Sequence, residues 1–114
     1  MDIKMDLKEY EGITGEIVLS VPTYMERLKL IKGCGFRMDA KGEVGLGDED
    51  GFDAFIKLVE SSKKYYKKVD VKIDEVRIRN FDGLEQNPKC DSLISNAASL
   101  LLHGGKLGKS KRPS

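Results

Sequence analysis

Gly15 to Lys32 reads GEIVLSVPTYMERLKLIK, an alternating strand that runs through a proline into a capped helix. Ile13, Ile17, Leu19 and Val21 share one parity, with Glu16 and Ser20 opposite, so a strand with one buried face is predicted. Gly12 and Gly15 punctuate its start. Pro22 has no N–H to donate and stops the ladder. Thr23 stands three residues before Glu26, the spacing of a capping box. There the threonine hydroxyl takes one free helix N–H and the glutamate reaches back to another. The helix that follows sets Tyr24, Leu28 and Ile31 on one face and stops at Lys32-Gly33, a basic last turn and a glycine.

Outward from this junction, residues 1–12 are polar and expected to be loose. A single globular domain is expected over 13–105, followed by a basic, disordered tail at 106–114. Cys34 to Gly47 reads as a glycine-rich linker in which Phe36 and Met38 form a short strand or plug the core. Asp48, Glu49 and Asp50 place negative charge where a helix N-terminus favours it. A second helix is predicted from Gly51 to Lys68, with Phe52, Phe55, Ile56, Val59 and Tyr66 on its core face. Ala54, Leu58, Ser61 and Tyr65 form another line about 120° away, the mark of a second packing partner or of one wide core face. Lys57, Lys64 and Lys68 run beside it.

Val69, Val71 and Ile73 alternate, and the parity then shifts to Val76 and Ile78. This predicts a short hairpin or one bulged strand, although Asp74-Glu75 is a poor pair for a tight turn. Phe81 to Leu84 reads as a compact turn. Asn87-Pro88 opens a last helix with proline at its first position, and Gly104-Gly105 ends it. Its apolar residues, from Leu93 to Leu102, cover an arc of about 200°. That breadth predicts near-complete burial, inside the domain or partly against another chain. The fold class is therefore α+β and mainly helical: three to four helices, a short N-terminal strand and a small β-hairpin.

The chain has 114 residues, 34% of them charged and 39% hydrophobic, as expected of one soluble domain. No apolar run approaches the ~20 residues of a membrane span, and the N-terminus lacks the apolar core of a signal peptide. A cytoplasmic protein with two free thiols, Cys34 and Cys90, is expected. The last nine residues hold four of the twenty basic side chains and no acid, leaving sixteen basic against nineteen acidic side chains before them. The domain is thus mildly acidic and its tail basic.

Catalytic signatures are missing. The one histidine, His103, cannot build a typical zinc site with two lone cysteines, and no GxSxG or HExxH motif occurs. The glycines of 42–47 lack the Gly-Lys-Ser/Thr ending of a phosphate loop, and an EF-hand frame there would put Leu46 and Lys57 at ligand places. No enzyme activity, cofactor or metal is expected. SKKYYKKVD, residues 62–70, interleaves lysines with tyrosines and could hold a single nucleic-acid strand. The domain's acidity, and the use of Tyr66 on the core face, weigh against that alternative, in which the chain is a small nucleic-acid-binding or regulatory protein.

The order of these parts resembles the tail assembly chaperones of long-tailed bacteriophages. The resemblance rests on the strand through Pro-Thr into ERLKLIK, the glycine and acidic linker, the helix DAFIKLVESSKKYYKKVDVK, the Phe-Asp-Gly-Leu turn and the closing LLLHGGKLGKS, roughly residues 13–109. It implies a mainly helical protein that coats the tape measure protein until the tail tube polymerises around it. It also implies self-association and possible contact with the tail tube protein. A longer, frameshifted product is a further implication, for which Gly105-Lys106 or Gly108-Lys109 would mark the slip. The apolar surface of the second and last helices suits a sheath for helical partners, with Ala54, Leu58, Tyr65 and Leu100 as the expected partner-binding residues.

Overall fold

The computed structural model describes residues 1–47 and 50–104. Its first strand, β1 (Asp2–Lys4), lies in the stretch expected to be loose. It pairs antiparallel with β2 (Ile13–Ser20), setting Ile3 against Leu19. Met5 and Leu7 follow it into the core. The expectation failed because the alternation of Ile3, Met5 and Leu7 is short and mixed with charges. It becomes a strand only against a partner strand.

The quoted junction folds as expected. β2 buries Ile13, Ile17 and Leu19. Helix α1 (Tyr24–Cys34) opens on the capping box: Glu26 N–H donates to Thr23 Oγ1 at 3.2 Å, and Thr23 N–H donates to Glu26 Oε1 at 2.8 Å. α1 runs past Gly33 to Cys34, because it is Gly35 that takes the left-handed conformation, with φ 90°. Its buried face is Leu30, Ile31 and Cys34. Tyr24 stays exposed, with the Arg27 guanidinium 5.6 Å from its ring centre.

The glycine-rich segment is a hairpin, β3 (Phe36–Met38) with β4 (Val44–Leu46). Helix α2 (Gly51–Ser62) is capped by Asp50, whose carboxylate accepts from Phe52 N–H at 2.8 Å. α2 ends six residues before the predicted Lys68. One 3-10 turn (Lys63–Tyr65) leads into β5 (Tyr66–Ile73), the strand that pairs along the length of β2. The register slips between Val18 and Leu19, leaving Lys67 as an extra residue on β5. That bulge breaks the alternation that begins at Val69, so the segment before it looks helical in sequence.

The hairpin at 69–78 is real. β5 turns through Asp74 and Glu75 into β6 (Val76–Ile78), with φ 50° and 69° at the two turn residues. Helix α3 (Phe81–Glu85), capped by Asn80, and a 3-10 turn (Pro88–Cys90) lead to α4 (Asp91–Leu102). The main sheet has the order β1-β2-β5-β6. The architecture is α+β, with a larger sheet than the strand and hairpin expected.

α4 lies between two apolar clusters. Leu93, Ala97, Leu100 and Leu101 pack with the inner sheet face and α3, through Ile17, Leu19, Val71 and Phe81. Ala98 and Leu102 pack with Leu30, Ile31 and Cys34 of α1 and Leu58 of α2. The wide arc of α4 is thus buried within its own chain. Gly105 and the basic stretch 106–114 lie outside the described residues, as do Asp48 and Glu49.

Candidate protein-binding surface

The four expected partner-binding residues are core. Ala54 is 0% exposed, Leu58 1%, Tyr65 7% and Leu100 6%. The line they define on α2 is the one that meets α1 and α4. Small side chains at Ala54 and Ser62, both fully buried, let that line approach closely. The face expected to be core is in part turned outward: Phe52 is 74% exposed and Ile56 44%. Phe55 and Val59, between the two, are half-buried against the second cluster.

Phe52 and Ile56 stand one turn apart on the outer side of α2. Leu46 of β4, 65% exposed, lies at their N-terminal end. Its Cδ atoms are close enough to Gly51 that a Cβ there would meet them at 3.2 and 3.4 Å. The hairpin and the capped start of α2 therefore hold three large apolar side chains in water. Helical spacing places Asp53, Lys57 and Glu60, all exposed, around them. An apolar strip with a charged rim is the usual form of a protein-contact surface. Sequence pattern does not single out Leu46, whose neighbours are glycines, and helical spacing puts Phe52 and Ile56 on the core face, where they are not. The signal that could have found them is the pair of small residues, Ala54 and Ser62, which marks the closely packed side.

The basic-aromatic stretch takes another shape than a stacking platform. Tyr65 is buried, with the Lys64 ammonium 5.5 Å from its ring centre. Tyr66 stacks edge-on against Phe81 with ring centres 5.0 Å apart. Lys67 donates to Asp2 at 2.6 Å and Lys68 to Glu16 at 2.7 Å. These two lysines belong to the outer sheet face, where Lys4 also approaches Glu16 at 3.6 Å and Arg77 approaches Asp70 at 3.4 Å. Acids and bases alternate across that face.

Both thiols are buried, and burial pushes the pKa of each above its ordinary value. Ser61 and Lys57 oppose the shift at Cys34 without reversing it. Such thiols are poor nucleophiles at neutral pH. Among the described residues no three His, Cys, Asp or Glu side chains converge on a point that could hold a metal ion. No described helix is long and apolar enough to cross a membrane. No protein-family model matches the chain, and no curated protein and no solved structure matches it.

Proposed function

We propose that the chain is a non-enzymatic assembly chaperone that covers an apolar segment of a longer partner, and that it works in the cytoplasm. The observation that carries this is the strip of Leu46, Phe52 and Ile56, exposed on two folded elements. The resemblance to bacteriophage tail assembly chaperones supplies the partner, the tape measure protein, and the setting, tail morphogenesis before the tube closes. A helical partner would lay its apolar face on the strip, with contacts at i and i+4. Three side chains make a small contact, so strong coating needs many copies along one filament.

The test is co-expression of the full chain with the product of a very long open reading frame neighbouring its gene, the expected tape measure protein. The chain is expected to keep that protein soluble and to be pulled down with it. Phe52→Glu with Ile56→Glu should leave the circular dichroism spectrum and melting cooperativity intact while lowering recovery at least tenfold. Undiminished recovery by this double variant would reject the strip as the contact. A gene neighbourhood without a very long open reading frame, together with no solubilising effect, would reject the chaperone itself.

A further inference from the structure

We propose that β1 is a self-pairing edge, and that two copies of the chain join through it in one antiparallel register to form an eight-stranded sheet. This does not depend on the chaperone reading and uses a different surface. β1 is the outermost strand of the main sheet among the described residues. Met1 C=O accepts from Val21 N–H at 2.8 Å, and Met5 N–H donates to Ile17 C=O at 2.9 Å. The backbone groups of residues 1, 3 and 5 therefore point to β2. By the alternation of a strand, those of Asp2 and Lys4 point away from it, to the open edge.

The sequence along this edge, Met1-Asp2-Ile3-Lys4-Met5, is complementary to itself when reversed. An antiparallel pair centred on Ile3 sets Asp2 opposite the partner's Lys4, Lys4 opposite the partner's Asp2, and Ile3 opposite the partner's Ile3. The outward backbone groups of Asp2 and Lys4 then meet each other, so each such pair exchanges N–H···O bonds in both directions. The two-fold axis passes through the close, non-hydrogen-bonded Ile3 pair. On the outer face the charges continue in alternation. Lys67 holds Asp2 at 2.6 Å, and Lys4 approaches Glu16 at 3.6 Å, so the row reads Lys67, Asp2, the partner's Lys4, the partner's Glu16. On the inner face, Met1 is 88% exposed. A cavity of about 280 Å³ opens beside β1, its lining in part apolar, with Ile3, Met5 and Leu100, and in part charged, with Lys4, Asp6 and Glu9. The register carries the partner's Met1 across from Met5, toward that cavity.

The opposite edge does not offer the same match. A β6 strand paired with itself about Arg77 would set two guanidinium groups together. Within β6 only Arg77 turns its backbone groups to the open edge, and Glu75 before it has φ 69° and leaves the strand plane, so β1 of a neighbour would find a short edge there. Growth into a filament is therefore disfavoured against closure as a dimer. The contact is small, so association is expected between ~10 μM and ~1 mM.

Sedimentation equilibrium of the full chain across that range tests the idea. A monomer–dimer equilibrium is expected, with the Asp2 and Lys4 amides, and not that of Arg77, gaining hydrogen-exchange protection as concentration rises. Asp2→Lys alone and Lys4→Asp alone set like charges together twice, and each should weaken dimerisation at least tenfold. An equimolar mixture of the two variants restores both opposite-charge pairs and should recover the dimer as a heterodimer. A chain that stays monomeric to ~1 mM, a dimer indifferent to both substitutions, or a mixture that stays monomeric would overturn the proposal. Larger oligomers that grow without closure would also overturn it. Should either variant fail to fold, the exchange pattern of the unmodified chain decides.

Discussion

At Tyr66 one oxygen sits in the wrong place for stability. Its hydroxyl is buried with no hydrogen-bond partner among the described residues, and burial pushes its pKa well above the usual tyrosine value. An unsatisfied buried hydroxyl costs about 1 kcal/mol or more. Tyr66→Phe keeps the edge-on contact with Phe81 and should stabilise the fold by about 1 kcal/mol, read as a melting temperature higher by about 5 °C. The sign at alkaline pH follows from the same burial. The folded state holds the proton more tightly, so stability is intact below the ordinary tyrosine value of 10.0 and falls as pH rises above it. The phenylalanine variant should lose that part of the alkaline decline. Glu75 is a second strained point, since φ 69° at a residue with a Cβ costs roughly 1 kcal/mol. Glu75→Gly should return about that much in a denaturant titration, because a two-residue turn with both φ positive favours glycine. Gly15 is the reverse case. A Cβ there would run into the Asp70 carbonyl oxygen, so Gly15→Ala should cost about 3 kcal/mol or more, or prevent folding. In sequence this glycine looked like the punctuation before a strand; only the closeness of β5 shows that it lies inside one.

Among the elements, those closed by local chemistry were legible in the sequence. Thr23 and Glu26 cap α1, Phe81 to Leu84 form a compact helical turn, and all seven apolar residues of α4 are buried. The failures lie where a distant partner decides. β1 exists because β2 lies beside it, and β5 takes its first residues from a predicted helix because β2 offers a ladder there. Burial within an element was harder still. Tyr65 reads as a helix-face residue in sequence but lies in the turn before the strand that starts at Tyr66, and Leu58 is core because α1 and α4 both pack on it. Leu58→Glu should therefore unfold the chain, since it sets a charge where exposure is 1%. Leu58→Ala, which only leaves a cavity, should cost about 2–5 kcal/mol in the same titration. Ile56→Ser, on the exposed side of the same helix, should change stability by about 0.5 kcal/mol or less. That contrast separates the two faces of α2 without any knowledge of a partner.

Over the whole molecule, α3 and α4 cover one face of the main sheet and the other is left to water, which the chain manages with paired charges. Asp2 and Glu16 accept hydrogen bonds from Lys67 and Lys68, and these bonds hold both carboxyls below their ordinary values of 3.8 and 4.5. Lys68 in turn is raised above 10.5, first by its bond to Glu16. A lowered carboxyl contributes above its ordinary value, and that contribution is lost as pH falls through the folded one. A raised lysine contributes below its ordinary value, and that contribution is lost as pH rises through the folded one. The face therefore supports the fold across the middle of the pH scale and weakens below about pH 4, with the alkaline loss shared with Tyr66. All these groups are exposed, so the pairs are screened and individually weak. Glu16→Gln should lower the melting temperature at pH 7 by a few degrees at most, and by less at pH 3. In ~1 M salt the difference at pH 7 should shrink toward zero, because the Debye length falls to about 3 Å. The gain from Tyr66→Phe should survive the same salt, because it comes from burial rather than from charge. A Glu16→Gln deficit that persists undiminished in high salt would mean that Glu16 acts through packing across β2 and β5, and that the outer face is not governed by its ion pairs.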